Sequence, residues 1–315
     1  MRITNSMRIN DFLRQVENRN TNIYNLQNQI SSGFRLHRPS DDPVGVQQAL
    51  MLSAQISQND QYARNVDNGL GRLSYSENVL SDLNDLIVNL DALALQGDND
   101  TVTEEDRQAM AVEAQQIIDQ MVSLANTQYN GVYIFGGQWT LTRPFEATQE
   151  PGGITTGVSQ VQIGPLGEIF REIGSNESMA INVPGDQLFM PEGEGQMSDL
   201  FYVAISIRDE LQNSEPPSEE FPDQLPSLRD ALTAIRERIS GFQTTVGARV
   251  DRLNNVSDML SGNNLSLTDA LSNVEDTDMV DAAMNLQLNQ TAYQATLSVA
   301  AMIMQPSLLN YLGTA

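Results

Sequence analysis

The sequence predicts a mainly α fold. Long, coiled-coil-like helices from both chain ends form a rod, and a smaller β-rich insert domain sits in the middle. Three observations predict it. Apolar residues recur by sevens near both ends of the chain. Aromatics make up only 6% of residues, with one Trp, while Ala, Leu, Gln and Asn are abundant, as expected of long helices packed through narrow seams. Gly, Pro, Thr and short alternating apolar runs are concentrated in one central stretch.

The first element spans residues 1–32. Ile9, Val16, Ile23 and Ile30 are seven apart, with Phe12 and Leu26 between them and Arg19 in the remaining inner slot. A period of 3.5 keeps one thin stripe facing a partner helix. Ser31-Ser32-Gly33 ends the helix, with Gly33 suited to a left-handed C-terminal cap. Ser40, Asp41 and Asp42 then offer N-cap oxygens, and Pro43 suits a first helical turn. The second helix runs from about Pro43 to Gln96. Its stripe is Leu52, Ile56, Ala63, Val66, Leu70, Leu73, Leu80, Leu83, Ile87, Leu90 and Ala94. Gly97-Asp98-Asn99-Asp100 breaks it. Thr103-Glu104-Glu105-Asp106 restarts an antiparallel helix with a capping-box pattern, carrying Met110, Ala114, Ile117, Met121 and Leu124.

Asn130-Gly131 signals a hairpin beside Val132-Tyr133-Ile134-Phe135. Alternating runs follow at Val158–Ile163 and Met179–Val183, so 130–197 reads as the β-rich insert. Helix returns at about Met197 to Leu211, and Ser214–Pro226 reads as a stiff acidic loop. A second heptad places Leu232, Ile239, Val246, Leu253 and Leu260 on one stripe, with Ile235, Phe242 and Val256 between. Gly262-Asn263-Asn264 is expected to end it. A last helix, from about Ser266 to Leu312, carries Met279, Ala283, Leu286, Tyr293, Leu297, Ala300 and Met304. The expected organisation is thus 1–42 and 265–315 as the two parts of an inner coiled-coil core. Segments 43–129 and 198–264 are the helices of the rod, and 130–197 is the insert.

Composition excludes several chemistries. All 17 basic residues are Arg, so no Schiff-base or phosphate-loop lysine exists. The absence of Cys removes disulfides and cysteine nucleophiles. One His, His37, excludes two-His zinc motifs. A net charge of −24 argues against nucleic acid as a partner, and no apolar run is long enough to insert in a membrane. The start of the chain shows no Sec-type signal. His37 beside Ser40, Asp41 and Asp42 invites a triad, but near-consecutive residues rarely converge so, and the carboxylates already suit helix caps. Asp98, Asp100, Glu104, Glu105 and Asp106 fail the calcium-loop pattern, because Val102 stands where an oxygen ligand belongs. No catalytic, cofactor or metal residue is therefore expected. The acid excess without Lys has two readings: adaptation to high salt, where screening reduces self-repulsion, and a GC-rich genome favouring Arg codons, which leaves the acid excess itself without an account.

Certain motifs do match a known family. Gln27-Asn28-Gln29-Ile30-Ser31-Ser32-Gly33-Phe34-Arg35 and Pro39-Ser40-Asp41-Asp42-Pro43-Val44-Gly45 resemble the amino-terminal motif of bacterial flagellins. Leu124-Ala125-Asn126-Thr127-Gln128-Tyr129-Asn130-Gly131-Val132-Tyr133-Ile134-Phe135-Gly136-Gly137 resembles a signature of hook-associated members of that family. Val246-Gly247-Ala248-Arg249, Ser272–Asp278 and the ending Gln305–Leu312 fit the carboxy-terminal half. The resemblance covers roughly 1–140 and 198–315.

The resemblance implies a structural subunit of the flagellum, secreted through the flagellar export apparatus, that forms the junction between hook and filament. Filament flagellin itself is the alternative. It implies a homo-oligomeric ring touching hook protein, another hook-associated protein and flagellin, and a cytoplasmic export chaperone on the carboxy-terminal helix. The implied assembly seam is Ile9, Phe12, Val16, Ile23, Leu26 and Ile30 with Leu286, Tyr293, Leu297, Ala300, Met304 and Leu308. An isolated seam of this length does not offset an ordering entropy of ~1–2 kcal/mol per residue, so its folding is expected to be coupled to assembly.

Overall fold

The computed structural model describes residues 5–99, 102–212 and 224–304. The chain order is α1 (Asn5–Ser32), α2 (Pro43–Gly97), α3 (Glu104–Ala125), β1 (Gln128–Tyr129), β2 (Val132–Tyr133), β3 (Phe145–Gln149), β4 (Thr155–Gln160), β5 (Phe170–Gly174), β6 (Glu177–Ala180), α4 (Gly185–Phe189), α5 (Leu200–Gln212), α6 (Leu225–Glu275) and α7 (Met279–Met304). The chain is mainly helical with a small β-rich middle, as its sequence predicts. Two compact units form: Asn59–Ser261, and Met1–Gln58 together with Gly262–Ala315.

The central unit holds the hydrophobic core. On α2, Val66, Leu73, Leu80, Leu83, Ile87, Leu90 and Ala94 are buried. They meet Met110, Ala114, Ile117 and Met121 of α3 and the α6 heptad Leu232, Ile239, Val246, Leu253 and Leu260, also buried. The α6 seam is thus ordinary bundle core. Thr103 caps α3 by accepting the Asp106 N–H at 3.2 Å, as the capping box predicts. The acidic loop expected at 214–226 lies largely outside the described residues, as does Asp100.

The insert consists of three separate antiparallel hairpins, β1–β2, β3–β4 and β5–β6. In the first, Tyr129 faces Val132, so the two-residue loop is Asn130-Gly131. Both have positive φ, 51° and 79°, the signature of a type I′ turn. The short α4 has no clear signature in the sequence. It carries Phe189 to the centre of an aromatic cluster, with ring centroids 5.3 Å from Phe135, 5.1 Å from Phe145 and 5.5 Å from Phe201. Four fully buried Phe thus gather where the insert meets α5.

Arginines fasten the insert to the helices. Arg72 of α2 donates to the Tyr133 and Ile134 carbonyls at 3.2 and 3.1 Å. Arg238 of α6 donates to the Leu188 and Ser198 carbonyls at 3.0 and 2.7 Å. Arg249 reaches the Asn182 carbonyl at 3.1 Å and Glu168 at 2.9 Å. Arg208 of α5 is 4% exposed and donates to the Thr155 carbonyl, Gln115 and Asp209. A fork of N–H groups can satisfy several carbonyls from one side chain, which the single ammonium of a lysine does less well. Burial, reinforced by the nearby Arg171 charge, lowers the Arg72 pKa from its usual value.

One expected boundary is corrected. α6 does not end at Gly262-Asn263-Asn264; it continues to Glu275. A glycine inside a helix costs only ~1 kcal/mol, which the flanking periodic sequence outweighs. The true break is Asp276–Asp278, where Asp278 accepts the Val280 and Asp281 N–H groups at 2.9 and 3.1 Å and so starts α7. The last helix accordingly begins at Met279 rather than near Ser266.

Candidate assembly surface

The terminal unit is built around the breaks that separate α1 from α2 and α6 from α7. Gly33, at φ 82°, donates to the Gln29 carbonyl at 2.9 Å and closes α1 in a left-handed cap. The chain then lies along residues 274–277. Phe34 and Asp276 form an isolated antiparallel bridge. The Arg35 N–H donates to the Glu275 carbonyl at 2.7 Å and the Thr277 N–H to the Gly33 carbonyl at 2.8 Å. The Arg35 guanidinium adds a bond to the Val274 carbonyl at 2.7 Å and lies 3.5 Å from Asp42. Asp42 starts α2, accepting the Gly45 N–H at 3.0 Å. That hydrogen bond, with Arg35 assisting, lowers the Asp42 pKa below the ordinary carboxylate value despite partial desolvation.

This node makes α7 start where α1 ends, so the two helices pack antiparallel. Phe12, Val16, Arg19, Ile23, Leu26 and Ile30 face the partner and are half-buried. The facing stripe of α7 is Ala282, Leu286, Asn289, Tyr293, Thr296 and Ala300, spaced alternately four and three apart. Of the sequence-predicted seam, Phe12 to Ile30 and Leu286, Tyr293 and Ala300 thus come together within one chain. Ile9 and Leu297 do not: they are 43% and 44% exposed, and Thr296 holds the slot next to Leu297. The Met304 side chain and Leu308 lie outside the described residues.

Burial divides sharply between the units. Among the described residues, every buried apolar side chain belongs to Asn59–Ser261 except Ala282, at 5% exposed. The outer faces of α1 and α7 carry Leu13, Tyr24, Met284, Leu288, Val299 and Met302, all at least half exposed. No charged residue occurs from 282 to the end of the chain. α7 is uncharged after Asp281 rather than apolar throughout: Gln287, Gln290 and Gln294 share its exposed surface with those apolar residues. The stripe reading missed these outer residues; the signal that could have found them is that uncharged run in a chain with 41 acids. Charge follows the same division. Residues 1–58 and 262–315 hold 9 acids and 6 arginines, whereas 59–261 holds 32 and 11.

The tempting triad does not form. His37 is exposed and bonded to Ser32 Oγ at 3.0 Å. Asp41 accepts the Arg38 N–H at 2.9 Å and Asp42 caps α2, so both carboxylates serve backbone turns. Among the described residues no group of three or more His, Asp or Glu could hold a metal ion. None of the described helices is long and apolar enough to cross a membrane.

Comparison with known proteins agrees with this geometry. The bacterial flagellin N-terminal helical region matches residues 3–140, and the bacterial flagellin C-terminal helical region matches residues 230–312. The chain is 27% identical over 310 residues to flagellar hook-associated protein 3 of Escherichia coli K12, covering 94% of this chain and 95% of that one. It is 22% identical over 311 residues to flagellin of Bacillus subtilis, covering 96% and 95%. Its fold is shared with the flagellar junction protein FlgL of Legionella pneumophila, at TM-score 0.56 and 16% identity over 73% of this chain and 100% of that one. Bacillus cereus FlgL is similar, at TM-score 0.55 and 21% identity over 70% and 99%. With both helical regions matched, at the two ends that form the α1–α7 pair, the chain belongs to the bacterial flagellin family.

Proposed function

We propose that this chain is a hook-associated subunit of the bacterial flagellum that forms the junction between hook and filament. Its work is mechanical rather than catalytic. One observation carries the reading: the central unit completes its own core, whereas α1 and α7 leave apolar side chains uncovered on their outer faces. Sister copies stacked in a ring would cover those faces, and the burial would supply the free energy of assembly. The ring would sit between another hook-associated protein or hook protein on one side and flagellin on the other. Before export, the uncharged stretch from residue 282 onward needs cover in the cytoplasm, which a chaperone would provide. The similarity over nearly full length to hook-associated protein 3 of Escherichia coli supports the junction over the filament itself.

Electron microscopy of a strain lacking the chain tests the reading. Hooks should be present, filaments absent, and flagellin monomers found in the medium. Bare basal bodies, or filaments of normal length, would sink it. Filament loss without release of flagellin would favour the second reading, a filament subunit. Ile23→Asp in the full chain should block incorporation while sparing the thermal transition of the central core. A markedly earlier melt would mean that the α1 seam is ordinary core.

A further inference from the structure

α6 carries a weak stretch between two anchored ones. Its last buried side chain is Leu260, at 3% exposed. Its far end is tied at residues 274–276, where the Val274 and Glu275 carbonyls accept from Arg35 and Asp276 bridges Phe34. No residue from 261 to 273 is buried. Six of the eight residues from Ser261 to Thr268 are Ser, Gly, Asn or Thr, all poorer helix formers than Ala.

Gly262 is not there for close packing: a Cβ built on it would meet nothing within 4 Å. A Ser-Gly pair is a usual place for a helix to kink. Two side chains beyond it compete for the backbone. Ser266 Oγ donates to the Gly262 carbonyl at 3.0 Å, and Thr268 Oγ1 to the Asn264 carbonyl at 2.7 Å. Bonds of this kind, to the carbonyl four residues back, weaken the helical ladder and bend it.

The same pattern recurs at Ser240-Gly241, and there it is held. A Cβ on Gly241 also meets open space, and Thr244 and Thr245 bond back to the Ser240 and Gly241 carbonyls at 2.9 Å each. Ile239 and Val246, both wholly buried, grip α6 on either side. Opening the helix at Gly241 would expose core. Opening it at Gly262 breaks only a few solvent-facing bonds.

We propose that residues 262–268 are a joint at which α6 bends when the subunit enters the ring. The proposal rests on the ring assembly set out above. A subunit seated between unlike neighbours, hook on one side and filament on the other, has to fit both with one sequence. A bend confined to the joint adjusts the course of α6 beyond Leu260 while the heptad core stays closed.

Hydrogen exchange of the purified full chain, read on overlapping peptides, tests the joint. Amides 263–268 should exchange faster than 253–260 on one side and 270–275 on the other. Rates that climb steadily from 262 to 275 would mean fraying of the helix end, and rates equal to those at 253–260 would mean a rigid helix; either overturns the joint. Gly262→Ala, which fits the open space, should slow exchange at 263–268 about fivefold, equivalent to ~1 kcal/mol. Gly241→Ala should leave it unchanged. Unaltered exchange in Gly262→Ala also counts against the joint. In cells, Gly262→Ala/Asn263→Ala should be recovered in flagella severalfold less than Gly241→Ala. Equal recovery would show that the ring does not use the bend and overturns the proposal. Absence of the unmodified chain from flagella overturns the junction reading instead, and the exchange maximum still decides whether the joint exists.

Discussion

Replacing Leu288 by aspartate should separate assembly from folding. Leu288 lies on the outer face of α7 and is 68% exposed. Full burial of a leucine is worth ~1.5–3 kcal/mol, so ~1–2 kcal/mol of burial is still to be gained when a neighbour covers it. Aspartate forfeits that gain and adds a carboxylate whose desolvation costs further. A loss of ~3 kcal/mol per contact corresponds to roughly 10²-fold in association. In the monomer the change touches no core, and surface substitutions usually stay within ~0.5 kcal/mol. Leu253→Ala is the contrasting control, because Leu253 is wholly buried among the central helices and such truncations cost ~2–5 kcal/mol. The assay pairs calorimetry of the purified chains with the amount of each recovered in sheared flagella rather than free in the medium. Leu288→Asp should melt like wild type and accumulate in the medium; Leu253→Ala should melt early. If Leu288→Asp melts as early as Leu253→Ala, or enters flagella at wild-type levels, the assignment of α7's outer face to assembly is wrong.

Two further predictions concern charge inside the fold. Arg208→Lys should destabilise the central unit by about 2 kcal/mol, because one ammonium cannot serve Thr155, Gln115 and Asp209 together and a buried acceptor loses its partner. Its melting temperature should fall by ~4–8 °C in calorimetry, and a shift under a degree would mean the network contributes little. Asp42 tests the node by pH. Its folded pKa lies below the ordinary aspartate value, so the stability it lends is present above the unfolded pKa and is lost as pH falls through the folded value. The Gly45 amide resonance should therefore titrate with a midpoint below that of an ordinary aspartate, and Arg35→Ala should move that midpoint upward. A midpoint at or above the ordinary value would remove the cap and its arginine from the account.

Much of the architecture was legible because periodicity is local. The stripes of α2 and α6 could be read from spacing alone: from Val66 onward most of their members are buried, while Leu52, Ile56, Ala63, Leu70 and Phe242 are only partly so. Asn130-Gly131 specified its hairpin because a type I′ turn requires positive φ at both positions, and Gly33 specified its cap for the same steric reason. The α6 boundary was not legible. Gly262-Asn263-Asn264 is a weak local break, and the stop at Asp276–Asp278 joins a local cap by Asp278 to bonds from Gly33, Phe34 and Arg35 at the far end of the chain. The arginine fasteners were hidden too, since each joins a helix to a carbonyl tens of residues away.

The sequence by itself determined the helical class, the central insert, the buried stripe of α6 and the absence of Lys and Cys. Spacing and composition are properties of neighbours along a chain, so no folding is needed to see them. Only the tertiary structure decided which seam is already satisfied. The stripes on α6 and α1 read alike, yet the α6 stripe is buried and the α1 stripe only half-buried against α7. Burial counts neighbours in space, and that number separates a finished core from a stripe only half covered.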